Sequence, residues 1–223
     1  MLRFAFASIL ALAPIASQAQ QAGTTLAGRI EGNTYVSPTG AFRIEIPVDP
    51  LLGGAINDTP MLVSFQDNFS TNISVATVPQ DATERWELST RGTKDYLRFF
   101  FNHYAFNEFK RMYAGSSIES ALFVPDLLDG ALIVYVLLPG GSAFNAAHPM
   151  IVPSEKPPVA KRGNLIFIKN GFVYIISTEL AERVTEGSAY TMSTHDEDVL
   201  LREHLTDIVN RITFLHQKAS TDK

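Results

Sequence analysis

Residues 165–176 read Leu165-Ile166-Phe167-Ile168-Lys169-Asn170-Gly171-Phe172-Val173-Tyr174-Ile175-Ile176. Asn-Gly between two β-type runs is a strong hairpin signal, because a type I′ turn needs positive φ at both central residues. With Asn170 and Gly171 in those places, Ile168 faces Val173, Phe167 faces Tyr174 and Ile166 faces Ile175. Successive pairs point to opposite sides of the sheet, and every one of these residues is apolar. The stretch therefore predicts a hairpin buried on both faces, in the middle of a sheet covered on both sides.

A second apolar run, Ala131 to Leu138, precedes it. Between the two runs, from Gly140 to Gly163, the chain carries Pro149, Pro153, Pro157 and Pro158 and little periodicity. Structureless connections beyond about 12–15 residues are uncommon in compact domains and are often functional. His148, Pro149, Met150, Pro153, Pro157 and Pro158 are accordingly the candidate partner-contacting residues. The competing reading of the same segment is a disordered insertion.

Working toward the N-terminus, Met61 to Phe65 and Ile73 to Val78 read as strands, the latter alternating, with a polar turn between them. Phe42, Ile44 and Ile46 alternate with Arg43 and Glu45, a half-buried strand that Pro47 closes. The expectation is a three-strand antiparallel meander, with Leu51-Leu52-Gly53-Gly54 in a loop. Tyr96, Leu97, Phe100, Phe101, Tyr104 and Phe109 recur at helical spacing after a cap at Thr93. That aromatic face is either packed on the sheet or a cage for an apolar ligand. A short strand is expected around Leu122-Phe123-Val124.

Toward the C-terminus, Thr194-His195-Asp196-Glu197 reads as a capping box. Leu201, Leu205, Ile208, Ile212 and Leu215 then line one stripe of a helix reaching about Leu215. The fold class is α+β: a single domain over 29–216, with a central antiparallel sheet and helices on both faces. Residues 20–28 read as a flexible lead-in and 217–223 as a fraying tail.

The start of the chain has an address. Arg3, an uncharged run from Phe4 to Ala16 and Ser17-Gln18-Ala19 have the layout of a secretory signal peptide cut after Ala19. The run is shorter than the ~20 residues needed to span a bilayer, so no stable membrane span is expected after cleavage. A periplasmic or secreted location follows. The chain has no cysteine, which excludes disulfides, thiolate metal sites and cysteine nucleophiles. Its formal charge is −5, and losing Arg3 removes one positive charge more. With no basic stripe, nucleic acid is not an expected partner.

Chemistry is harder to find. His195, Asp196, Glu197, Asp198, Glu203 and His204 form the one cluster of ligand-type residues. The two histidines are nine residues apart and fall on opposite sides of a helix, so no metal is expected there. Gly140-Gly141-Ser142 with His148 is superficially suggestive of a hydrolase but lacks the Gly-x-Ser-x-Gly elbow. Glu179 and Glu182, three apart, can share a helix face and do acid–base work, or simply begin a solvated helix. Neither a P-loop nor a dinucleotide fingerprint is present, and no cofactor is expected.

The order of elements resembles the PsbP-like superfamily. The residues carrying the resemblance are Tyr35 through Pro47, the helix after the first strands, the hairpin at Asn170-Gly171 and the ending Ile212-Thr213-Phe214. Many members have a Trp soon after that Pro, where this chain has Val48-Asp49-Pro50-Leu51. The resemblance implies an α/β/α sandwich and an accessory or binding module, and it offers no catalytic residue. The expected function is a non-enzymatic exported protein that meets a protein or small molecule of the cell envelope through residues 140–163. A small hydrolase or metal-dependent enzyme and an apolar-ligand carrier are the alternatives.

Overall fold

The computed structural model describes residues 26–67, 69–141, 159–186 and 189–215. At its centre Asn170 and Gly171 both have positive φ, 50° and 80°. They join strand β9 (Val159–Lys169) to strand β10 (Phe172–Glu179). The register is Ile168 to Val173, Phe167 to Tyr174 and Ile166 to Ile175, as the turn chemistry predicts.

These strands sit inside an antiparallel seven-stranded sheet of order β4-β5-β6-β10-β9-β8-β7. The others are β4 (Ala55–Thr59), β5 (Leu62–Gln66), β6 (Asn72–Pro79), β7 (Ser117–Val124) and β8 (Ala131–Pro139). Two cores result. On one face Ile166, Val173 and Ile175 pack with Tyr96, Leu97, Phe100, Phe101 and Phe109. On the other, Leu165, Phe167, Tyr174 and Ile176 pack with Leu201, Leu205 and Ile208. The rings of Phe167 and Tyr174 stack with centroids 5.1 Å apart, and Phe214 meets both edge-on. The architecture is α+β with helices on both faces of the sheet.

Several elements differ from the sequence reading. Strand β3 (Phe42–Glu45) does not continue into β5 and β6 as a meander. It belongs to a separate four-stranded sheet with β1 (Arg29–Glu31), β2 (Thr34–Val36) and β11 (Ile212–Phe214), in the order β1-β2-β3-β11. Phe42 and Ile44 face the second core while Arg43 and Glu45 are exposed. The last helix, Thr194–Asn210, ends earlier than the apolar stripe. Ile212 leaves that stripe to pair with Ile44.

The span before Met61 contains β4, not only a loop. A separate helix α1 (Ala82–Arg91) precedes α2 (Thr93–Phe100), because Gly92 between them, at φ 75° and ψ 161°, cannot continue a helix. Gly92, not Thr93, is the cap of α2. A π-helical turn, Phe101–Ala105, leads into α3 (Phe106–Met112). It sets Phe100 and Phe101, adjacent in sequence, both into the core. The aromatic face is thus packed on the sheet. The capping residue of the last helix is Ser193, whose hydroxyl accepts from the Asp196 amide, which frees Glu197 for another role.

Candidate functional site: a closed ion cluster at the start of β9

The expected connection from Gly140 to Gly163 is shorter at its far end, because β9 begins at Val159. Lys161, Arg162 and Gly163 are therefore strand residues, and alternation sends Lys161 and Arg162 into opposite cores.

Lys161 lies on the face covered by the last helix, and its side chain is completely buried. Its ammonium meets three carboxylates, at 2.5 Å from Glu119, 2.9 Å from Glu197 and 2.6 Å from Asp198. It also lies 5.3 Å from the centre of the Tyr135 ring. Local structure explains the gathering. Gly163, two residues along the same face, lets the helix come close: a Cβ there would stand 3.1 Å from Leu205 and 3.3 Å from Leu201. One turn before Leu201, the helix then holds Glu197 over Lys161. A bulge in β7 between Ile118 and Ser120 falls at Glu119, and bulges re-aim side chains.

Glu197 is the second hub. Arg183 Nη1 donates to both of its oxygens, at 2.9 and 3.0 Å, and the Tyr190 hydroxyl donates at 2.6 Å. Arg183 Nε donates to the Val159 carbonyl at 2.8 Å, tying the short helix Glu182–Thr185 to the first residue of β9. Tyr135 donates to the Asp198 carbonyl at 2.7 Å. The electrostatics follow from these contacts. Burial disfavours the Lys161 ammonium, but its bonds to Asp198, Glu119 and Glu197 prevail and raise its pKa. Burial likewise opposes the Glu197 carboxylate, and the bonds from Tyr190 and Lys161 with the Arg183 charge prevail and lower its pKa. Burial, then the Asp198 charge, pushes Tyr135 up to about 12.

On the opposite face Arg162 pairs with Glu179, both buried, and its guanidinium lies 5.5 Å from the centre of the Phe109 ring. Next to them Ser177 donates to Asn164 Oδ1 at 2.8 Å, and Asn164 Nδ2 donates to the Val134 carbonyl at 3.1 Å. Polar partners thus flank β9 on both faces where the chain enters it.

Chemically, the Lys161 cluster is closed. A buried ammonium held by three carboxylates is a poor nucleophile, since its lone pair is bound to a proton that three acceptors stabilise. Glu197 accepts from three cationic or hydroxyl donors and is held ionised, unlike a general base poised near neutral pH. The arrangement fixes geometry.

The other candidates fall apart or lie elsewhere. Glu179 ends β10 and is buried, whereas Glu182 begins the following short helix, so the two do not share a helix face. His195 is exposed at the helix start and His204 half-buried. Among the described residues, no group of three or more histidines and acids is placed to hold a metal ion. Ser142, His148, Pro149, Met150, Pro153, Pro157 and Pro158 lie outside the described residues. Sequence reasoning missed Lys161 and Arg162, although a signal existed. Carrying the hairpin register outward from Asn170-Gly171 sets Asn164 opposite Ser177 and Arg162 opposite Glu179.

No protein-family model matches the chain, and no curated protein matches it. Among solved structures it is similar to cyanobacterial PsbP from Synechocystis sp. PCC 6803, at 12% identity and a TM-score of 0.49, over 91% of this chain and 100% of that one. It is similar to the Saccharomyces cerevisiae Ran-binding protein Mog1p, at 9% identity and a TM-score of 0.48, over 86% and 97%. A Bacteroides thetaiotaomicron protein matches at 12% identity and a TM-score of 0.43, over 84% of this chain, which spans 50% of that protein. Among the described residues, no helix is long and apolar enough to cross a membrane.

Proposed function

We propose that this chain is an exported, non-enzymatic accessory or binding protein that meets a protein or small molecule of the cell envelope through the proline-rich connection expected over 140–163, of which 140–158 lie between β8 and β9. The observation that supports this most is the closure of the Lys161–Glu197 cluster. It ties β9, the last helix, the short helix Glu182–Thr185 and, through Glu119, the edge strand β7 into one unit. That unit stands immediately after the proline-rich segment. Replacing a buried ion pair by apolar residues of similar volume is often neutral or stabilising. A network of this size is therefore better explained by the position it fixes than by stability. Binding residues commonly sit on loops held by a rigid scaffold, and this cluster makes such a scaffold.

Export rests on the Arg3, Phe4–Ala16 and Ser17-Gln18-Ala19 pattern. N-terminal sequencing of the envelope fraction should begin at Gln20, and an intact Met1 there would overturn it. Partner contact is tested by changing His148, Met150 and Pro153 together to Ser in the full-length chain. Cross-linking in the native envelope should lose a discrete adduct seen with the wild type. An unchanged adduct pattern would remove the segment from the account.

A further inference from the structure

The turn between β9 and β10 is tied to three other parts of the chain. Asn170 Nδ2 donates to the Leu215 carbonyl at 3.1 Å, the Gln80 amide donates to the Gly171 carbonyl at 2.9 Å, and Lys169 Nζ lies 2.8 Å from Asp129 Oδ2. Leu215 is held at both ends, because its own amide donates to the Ala41 carbonyl at 2.9 Å. Phe214, beside it, packs edge-on against Phe167 and Tyr174. The Asn170 side chain therefore clasps the end of β11 to the tip of the central hairpin.

Asn170-Gly171 is also the one Asn-Gly dipeptide in the sequence. Glycine is the successor that least hinders attack of its own amide nitrogen on an asparagine side chain, since it has no Cβ. Gly171 is exposed, with nothing within 4 Å of the place of a Cβ. Two features hold that reaction off in the folded chain. Asn170 lies at φ 50°, in the left-handed region where ψ is roughly +30 to +60°. At such a ψ the Gly171 nitrogen stands anti to the Asn170 Cβ, out of reach of Cγ. The side-chain nitrogen that would have to leave is bound to the Leu215 carbonyl.

We infer that Asn170 is a self-modification site, shut while the turn and the Leu215 clasp hold and opened when the end of β11 lets go. The Gly171 nitrogen gives its proton to hydroxide and bonds to Asn170 Cγ. The Cγ–Nδ2 bond breaks, and Nδ2 leaves as ammonia with a proton from water. Water then opens the resulting succinimide at either carbonyl. Breaking the bond from Cγ to the Gly171 nitrogen leaves aspartate. Breaking the bond from the main-chain carbonyl carbon leaves isoaspartate, with the chain running through Cβ and Cγ. Nothing is oxidised or reduced. Either product ends the clasp, because a carboxylate has no proton to give the Leu215 carbonyl. Aspartate still suits the type I′ turn, whereas the extra main-chain carbon of isoaspartate does not fit a two-residue loop.

The test uses the full chain, held in mildly alkaline buffer both folded and in urea. Peptide mapping separates the asparagine, aspartate and isoaspartate forms at Asn170. Conversion should be about tenfold or more slower in the folded chain, in proportion to how seldom the tip opens. Phe214→Ala loosens β11 and leaves the turn sequence intact, and it should raise the folded chain's rate about tenfold. Equal rates folded and unfolded, or no rise in Phe214→Ala, would overturn the inference. Asn170→Gly keeps a type I′ sequence without the clasp. It should speed hydrogen exchange of the Leu215 amide by about tenfold, as loss of one hydrogen bond allows. Unchanged exchange there, with melting curves showing that the variants fold, would also overturn it.

Discussion

Lys161 Nζ and Glu197 Oε2 lie 2.9 Å apart, and both side chains are closed to solvent on the face of the sheet that the last helix covers. Removing Lys161 leaves three carboxylates without the cation they share, and removing the Glu197 charge leaves Arg183 and Tyr190 without their anionic acceptor. Breaking a buried pair from one side costs about 3–5 kcal/mol. Lys161→Met and Glu197→Gln should each lower unfolding stability by about that much in urea titrations. Lys161→Met should be the worse of the two, because it leaves Glu119, Glu197 and Asp198 facing one another. An effect below about 1 kcal/mol would mean that the cluster is solvated in solution.

Acid should release this cluster. The folded-state pKa of Glu197 is lowered from its ordinary 4.5, so its contribution is complete above that value. It is lost as pH falls through the folded pKa, because the unfolded chain then binds the extra proton. Lys161 works in the opposite sense. Its pKa is raised from 10.5, so its contribution is complete below 10.5 and is lost only as pH rises through the higher folded value. Melting temperature should hold between these limits and fall on the acid side. Glu197→Gln should shrink the difference between neutral and acid pH; an unaltered acid limb would assign the titration to other carboxylates such as Asp67.

The hairpin turn should be sensitive to backbone chemistry. Gly171 sits at φ 80° with nothing near the place of a Cβ, so Gly171→Ala tests conformation alone. A left-handed conformation costs an L-residue roughly 1–2 kcal/mol. For a domain of this size that corresponds to a loss of about 2–8 °C in melting temperature. No change would deny the type I′ turn.

Tyr174 ties the two sheets together, its hydroxyl donating to the Ala41 carbonyl at 3.0 Å within the core. Tyr174→Phe keeps the ring stacked on Phe167 and removes only that bond. The expected loss is about 1–2 kcal/mol, since the carbonyl of Ala41 is left with one partner fewer in a buried place. Equal stability of the two proteins would show that water reaches the site.

The hairpin could be read from the sequence because its information is local: the turn dipeptide sets the register, and the register sets both faces. The small sheet could not. β1, β2 and β11 are three residues each, too short for a period to show, and Phe42 finds its partner Phe214 at the far end of the chain. Helix α1 has no buried residue and leaves Trp86 exposed, so no apolar stripe marked it. The ion cluster was hidden for a related reason. Lys161-Arg162 looks like loop until Glu197, 36 residues on, and Glu119 on a bulged edge strand are brought to it. Charges that are buried only because of distant partners leave no trace in a local window.

In the proposed function, a rigid, chemically closed anchor at Lys161 supports a segment that contacts the partner. It is tested most directly by replacing residues 143–157 with a Gly-Ser linker and measuring melting temperature and partner recovery from envelope extract side by side. The account predicts that recovery falls by about tenfold or more, a change of 1.4 kcal/mol or greater, while the melting temperature stays within about 4 °C of the parent. Full recovery of the same partner by the linker protein would contradict it.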